Sequence, residues 1–173
     1  IESRCKMKQF FPDEYVSSIH KINYKELRRM GYEGLMFDLD NTLAPYDRAH
    51  PDEELLRQFS YLKKLGFRLA LVSNNNPKRV HAFNERLKVD AYPRANKPLT
   101  RQLRRAIRKM DISPEKTVFI GDQLFTDVWV GKRLKCRTIL VKPIQDKEQW
   151  VSRIKRGLEM MILRRYMKHR KNE

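Results

Sequence analysis

Two aspartates stand one residue apart in Phe37-Asp38-Leu39-Asp40-Asn41-Thr42-Leu43, directly after the apolar run Gly34-Leu35-Met36-Phe37. If that run is a buried strand, the carboxylates emerge at its C-terminal end, where open α/β sheets place their ligands. Taken alone, the stretch reads equally well as a strand entering a turn, with Asp40, Asn41 and Thr42 hydrogen-bonding the nearby backbone. The rest of the chain decides. Ser73-Asn74-Asn75 ends a second apolar run, Asn96-Lys97-Pro98 follows a short third, and Gly121-Asp122 ends a fourth, with Asp127 shortly beyond it. In a parallel sheet these ends share one edge, so Asp38, Asp40, Ser73, Lys97, Asp122 and Asp127 are expected to converge.

Such a set has a definite chemistry. Gathered aspartates repel one another unless a cation neutralises them, and an all-oxygen site suits Mg²⁺. That ion binds through one or two carboxylates together with substrate phosphate, which makes a phosphoryl group the natural substrate. An aspartate can attack phosphorus to form an aspartyl-phosphate, while a second carboxylate protonates the leaving oxygen and later activates water. Asp38 and Asp40 fit those parts. Lys97 would offset charge on the transferring group, and the Ser73 hydroxyl with the Asn74 backbone N–H would donate to its equatorial oxygens. Each residue also has a plainer reading on its own: an exposed loop lysine, a strand-end serine, and for Asp127 an acid favoured at a helix N-terminus.

The elements needed to hold these residues alternate along the chain. Residues 35–39 form the first expected strand, 52–65 a helix spacing Leu55, Leu56, Phe59, Leu62 and Leu65 at helical intervals, with Gly66 closing it. Strand 67–73 follows, then a helix over 77–87 with Pro77 in its first turn, and a short strand over 90–92. Thr100 caps a helix running to Met110, residues 117–120 make a strand, 125–134 a helix and 137–141 the last strand. Strands separated by helices of this length imply a mostly parallel central sheet, an α/β Rossmann-like fold with helices on both faces. The expected division is an N-terminal arm over 1–30, a catalytic core over 31–145 and a basic C-terminal helix over 146–173, all in a single domain. That last helix puts Trp150, Ile154, Leu158, Met161, Ile162 and Tyr166 along one face, suited to packing on the sheet or to lying in a membrane interface.

Composition narrows the function. The chain has 173 residues, enough for one globular domain with a real core, and its apolar content is too high for disorder. No run is long and apolar enough to span a bilayer and no signal-peptide pattern opens the chain, so the expectation is a cytoplasmic protein. The two cysteines, Cys5 and Cys136, lack metal-ligand spacing. A net charge of +17 draws polyanions: nucleic acid, an anionic membrane or a phosphorylated substrate. Aromatic and glycine motifs interleaved with basic residues, as in RNA-binding modules, are absent, although charge alone supports nonspecific nucleic-acid binding.

Asp38-Leu39-Asp40-Asn41-Thr42, Ser73, Lys97 and Gly121-Asp122-Gln123-Leu124-Phe125-Thr126-Asp127 resemble, in order, the four motifs of the haloacid dehalogenase superfamily of phosphatases. The resemblance implies Asp38 as nucleophile and Mg²⁺ ligand, Asp40 as general acid/base that also offers its backbone carbonyl to the metal, and Asp122 as a further ligand. It also implies Thr42 as a brace of the loop, Ser73 and Lys97 as phosphate holders, and Asp127 as the residue orienting Lys97 or a metal-bound water. Members that do not hydrolyse phosphate esters commonly lack the second aspartate, which is present here as Asp40.

In this superfamily a cap domain, where present, is inserted between the first and second motifs or between the second and third. Neither the interval from Thr42 to Ser73 nor that from Ser73 to Lys97 has room for one, so an open site is expected, working on large substrates or borrowing enclosure from a partner subunit. Phe10-Phe11-Pro12-Asp13-Glu14-Tyr15-Val16-Ser17-Ser18-Ile19 and the stretches around Asp38 and Asp122 resemble the capless subclass IIIA, the YqeG family. Its mitochondrial relatives are phosphatidylglycerophosphate phosphatases, so the resemblance implies an anionic phospholipid headgroup as substrate, and the clustered Lys and Arg with the basic C-terminal helix suit peripheral contact with the inner face of the membrane. A phosphatase of nucleic-acid ends or soluble phosphometabolites, and a basic RNA- or ribosome-associated protein, are the alternatives.

Overall fold

Every residue of Gly34–Phe37 is buried, and this strand, β2, lies near the middle of the sheet. The other strands are β1 (Glu14–Val16), β3 (Arg68–Val72), β4 (Asp90–Tyr92), β5 (Thr117–Gly121) and β6 (Arg137–Val141). The computed structural model describes residues 8–145 and 150–170, with side chains for 9–145 and 157–168. All strand pairs are parallel, in the order β1-β6-β5-β2-β3-β4. From β2 the chain steps outward through β3 to β4, then returns to the other side of β2 for β5 and β6. The direction of winding thus reverses between β2 and β5, the place where open sheets leave a crevice beyond their strand ends.

Among the described residues six α-helices accompany the strands: α1 (Tyr24–Arg29), α2 (Glu53–Lys64), α3 (Pro77–Leu87), α4 (Arg101–Met110), α5 (Trp129–Arg133) and α6 (Trp150–Arg170). Successive strand side chains point to opposite faces, and β2 shows it. Leu35 and Phe37 join a core with Leu27 of α1, Phe59 and Leu62 of α2 and Phe83 of α3. Met36 joins a second core with Leu103 and Ile107 of α4 and Val130 of α5. Helices therefore cover both faces, as the strand-helix alternation predicts.

Local signals act as expected at two helix starts and one end. Asp52 Oδ1 accepts the Leu55 N–H at 2.9 Å, and Asn76 Oδ1 accepts the Arg79 N–H at 2.9 Å with Pro77 in the first turn. Gly66, just past α2, has φ +83°, which a residue with a Cβ adopts only under strain. Thr100 differs: it stands at the cap position of α4 with helical dihedrals and its hydroxyl makes no cap bond, accepting instead from Arg104 Nε at 3.3 Å.

Three segments depart further from expectation. Residues 8–30 carry β1 and α1, and β1 extends the sheet by pairing with β6. The helix expected over 125–134 begins as a π-helical turn, Leu124–Val128, before becoming α5. On α6, Ile162 and Tyr166 are buried, whereas Leu158 and Met161 of the expected apolar face are exposed. The side chains of Trp150 and Ile154, like Cys5 and the expected helix start at 147–149, lie outside the described residues.

Candidate active site

Beyond Phe37 the ladder continues for one bond, the Asp38 N–H donating to Ile120 O at 2.9 Å, and then the chain turns sharply. Asn41 has φ 64°, and Leu39 O accepts the N–H groups of Thr42 and Leu43 at 3.3 and 2.9 Å. This turn brings the Thr42 hydroxyl back to 3.3 Å from Asp38 Oδ2 and 3.0 Å from Asp122 Oδ1. One hydroxyl thus stands between two carboxylates that are far apart in sequence.

Lys97 enters from the loop after β4. Its Nζ lies 2.6 Å from Asp38 Oδ1 and 2.7 Å from Asp127 Oδ1, with 2 % of the lysine side chain exposed. Its backbone is fixed by Asn74, whose Oδ1 accepts the Lys97 N–H at 2.7 Å and whose Nδ2 donates to Lys97 O at 3.3 Å. Asp127 is held from the other side, its Oδ2 accepting the N–H groups of Asp122 and Gln123 at 3.1 Å each. Gly121 makes this possible, because a Cβ there would lie 2.4 Å from Asp127 Cγ. The π-helical turn after Gln123 carries Asp127 inward, a location where such turns are common.

Oxygens of Asp38, Asp122 and Asp127 lie within 4.8 Å of one another. The charge is unbalanced, with three carboxylates facing the Lys97 ammonium. Burial pushes the Asp38 carboxyl up to about 6; Lys97 opposes this and Asp127 adds to it. Burial, then Asp38 and Asp127, hold Asp122 well above the usual carboxylate range. For Lys97 burial disfavours the ammonium, but Asp127 and Asp38 outweigh it and raise its pKa. A divalent cation would supply the missing positive charge, and an all-oxygen donor set of this kind fits Mg²⁺.

Asp40 lies beside this network and has different partners. Asn75 Nδ2 donates to its Oδ2 at 2.9 Å, and Arg79 Nη2 and Nε donate to its Oδ1 at 3.2 and 3.4 Å. Neither partner is among the residues expected from sequence. Asn75 was adjacent to the expected pair Ser73-Asn74, but nothing local marks Arg79, a helix arginine in a chain rich in them. Ser73 is buried and supports Asn75, its Oγ accepting the Asn75 N–H at 3.1 Å. The expected residues therefore form two linked groups: Asp38, Thr42, Lys97, Asp122 and Asp127 in one network, and Asp40 tied to the Ser73–Asn74 segment.

A carboxylate beside a lysine, with a second carboxylate nearby and acids able to hold a cation, has the groups that phosphoryl transfer requires. The model of the haloacid dehalogenase-like hydrolases matches residues 46–135. The "Probable phosphatase YqeG" of Bacillus subtilis (strain 168) is 39% identical over 91% of this chain and 92% of its own length. The phosphatidylglycerophosphate phosphatase 1 of Arabidopsis thaliana is 25% identical over 94% of this chain, which spans 50% of that longer protein. Among solved structures, a putative 3-deoxy-D-manno-octulosonate 8-phosphate phosphatase from Vibrio cholerae shares the fold with a TM-score of 0.55 at 16% identity, covering 70% of this chain and 72% of that one. A Bacteroides thetaiotaomicron enzyme of the same superfamily, in complex with magnesium and inorganic phosphate, aligns with a TM-score of 0.53 at 14% identity, covering 68% and 98%.

Proposed function

The chain belongs to the haloacid dehalogenase-like hydrolase family and is one of its phosphatases, and we propose that it hydrolyses phosphomonoesters through an aspartyl-phosphate on Asp38. The observation that carries this reading is the Lys97 ammonium bridging Asp38 and Asp127 at 2.6 and 2.7 Å, with Asp122 joined to Asp38 through Thr42. Lys97 orients the Asp38 carboxylate, which attacks phosphorus. As the bond to the leaving oxygen breaks, Asp40 gives that oxygen a proton. Asp40 then takes a proton from the water that attacks the same phosphorus, releasing inorganic phosphate and restoring Asp38. Lys97, the Ser73 hydroxyl and the Asn74 backbone N–H hold the phosphoryl oxygens. Asp38, Asp122 and the backbone carbonyl of Asp40 would hold Mg²⁺, which would neutralise the carboxylates and polarise the phosphoryl group. Asp127 keeps Lys97 in place and Thr42 braces the loop.

The proposed substrate is the terminal phosphate of phosphatidylglycerophosphate, met at the inner face of the membrane. The likeness to the Arabidopsis enzyme supports this, as do the exposed Arg101, Arg104, Arg105 and Arg108 on α4, a cationic face suited to anionic headgroups. The lack of a cap agrees: residues 43–72 are occupied by a loop, α2 and β3, and residues 74–96 by α3, β4 and loops, with no inserted domain. No helix among the described residues is long and apolar enough to cross a membrane. The test is phosphate release, with and without Mg²⁺, from phosphatidylglycerophosphate, a 5′- or 3′-phosphorylated oligonucleotide and a panel of sugar phosphates. The lipid should be preferred by kcat/KM; preference for the oligonucleotide, toward which the +17 charge also points, or for a sugar phosphate would overturn the lipid assignment.

A further inference from the structure

Asp40 sits on a loop with little regular structure, yet a general acid acts only when its carboxyl is held within hydrogen-bond reach of the leaving oxygen, about 2.6–3.2 Å between heavy atoms. Arg79, in the first turn of α3, supplies what the loop lacks. Its guanidinium donates to Asp40 Oδ1 at 3.2 and 3.4 Å, to Pro45 O at 3.3 Å, and through Nη1 to Arg48 O. The same group lies 5.4 Å from the centre of the Phe83 ring, and 13 % of its side chain is exposed. One planar fork therefore grips the carboxylate and both ends of the turn that follows it. Asn75 holds the remaining oxygen of Asp40 at 2.9 Å.

Asn75 and Arg79 belong to the segment that also carries Ser73 and Asn74, and the Asn76 cap joins that segment to α3. One piece of backbone thus bears both the proposed phosphate holders and the groups that aim the acid. We infer that Arg79, assisted by Asn75, is a positioning residue for catalysis: it directs the Asp40 carboxyl toward the leaving oxygen and clamps residues 45–48 against α3. This rests on the reading of Asp40 as general acid/base. Lysine could keep the charge at position 79 but not the several directed bonds of the fork.

A positioning role for proton transfer has a signature that a merely structural role lacks. Leaving groups that depart easily as anions need little protonation, whereas alkoxides need it badly. The experiment measures kcat and KM, with Mg²⁺, for wild type, Arg79→Gln, Arg79→Lys, Asn75→Ala and Asp40→Asn on phosphates whose leaving groups range from nitrophenol to a simple alcohol. Arg79→Gln should lose about 10- to 100-fold in kcat on the alkyl phosphate and less than about threefold on nitrophenyl phosphate, with KM nearly constant. Arg79→Lys should fall between it and wild type. Equal losses across the series, or none, would overturn the inference. If Arg79→Gln fails to fold, Asn75→Ala carries the test, with the same steepening expected and a flat response overturning it. Asp40→Asn separates the two readings. If it shows no dependence on the leaving group, the acid assignment fails and takes the inference with it; if it is steep while the Arg79 and Asn75 variants are flat, the inference alone fails.

Discussion

Asp38, Lys97 and Thr42 on one edge of the sheet, and Asp13, Lys132 and Thr138 on the other, are the same three residue types arranged to opposite effect. In the second group Asp13 Oδ1 accepts from Lys132 Nζ at 2.6 Å, and its Oδ2 accepts from the Thr138 N–H and hydroxyl at 2.8 and 3.0 Å. Burial works against its charge, but those bonds prevail and hold the Asp13 carboxyl below its usual range. At Asp38 the balance is reversed: burial, with Asp127 adding to it, pushes the carboxyl up to about 6 although Lys97 is just as close. The difference lies in the count of charges and the access of water. One carboxylate with an ammonium and a backbone donor, 34 % exposed, is a satisfied staple joining β1 to β6. Three carboxylates gathered at one buried ammonium leave an excess of negative charge.

That contrast can be broken most severely at Asp38. Asp38→Asn should lower phosphatase activity by about 10⁴-fold or more, as loss of a nucleophile does. Its melting temperature should stay near that of wild type, because Lys97 keeps Asp127 as a partner. A folded variant retaining full activity would refute the catalytic role.

Lys97→Met should be the most costly change for stability. It strips the buried acids of their ammonium and should destabilise the metal-free protein by about 3–5 kcal/mol in urea unfolding. Mg²⁺ should restore more stability to this variant than it adds to wild type. A variant as stable as wild type in chelator would mean that the acids are not crowded charges.

Asp13→Asn should cost less, about 1–3 kcal/mol at neutral pH. The folded carboxyl is lowered relative to the unfolded chain, so its contribution is complete above the ordinary aspartate value near ~3.9 and disappears as pH falls through the lowered folded value. The stability gap between wild type and Asp13→Asn should therefore be constant down to about pH 4 and close below it. A gap that widens with acid would place Asp13 with the crowded acids rather than the staples.

The two regions also differed in how readable they were in sequence. The strands 90–92 and 137–141 and the helix 77–87 appear where apolar runs and Pro77 place them, because burial period and start signals are local. Asp38, Lys97, Asp122 and Asp127 were legible because each follows a strand on one edge of a parallel sheet, which brings them together, and Thr42 through the resemblance of its motif. β1 was not legible: three partly buried residues are a strand only because β6, distant in sequence, offers an edge to pair with. Nor was the π-helical turn, which depends on Asp127 reaching back under Gly121. Arg79 was hidden for the same reason, since its role comes from a tertiary approach to Asp40 that no spacing announces.

The central claim is that Asp38 carries the phosphoryl group in transit. Acid quench during steady-state turnover, followed by mass spectrometry of the digested protein, should find a phosphoryl adduct on the peptide containing Asp38 in wild type and none in Asp38→Asn. Turnover of the same substrate with no adduct on Asp38, or with the adduct on another residue, would contradict it.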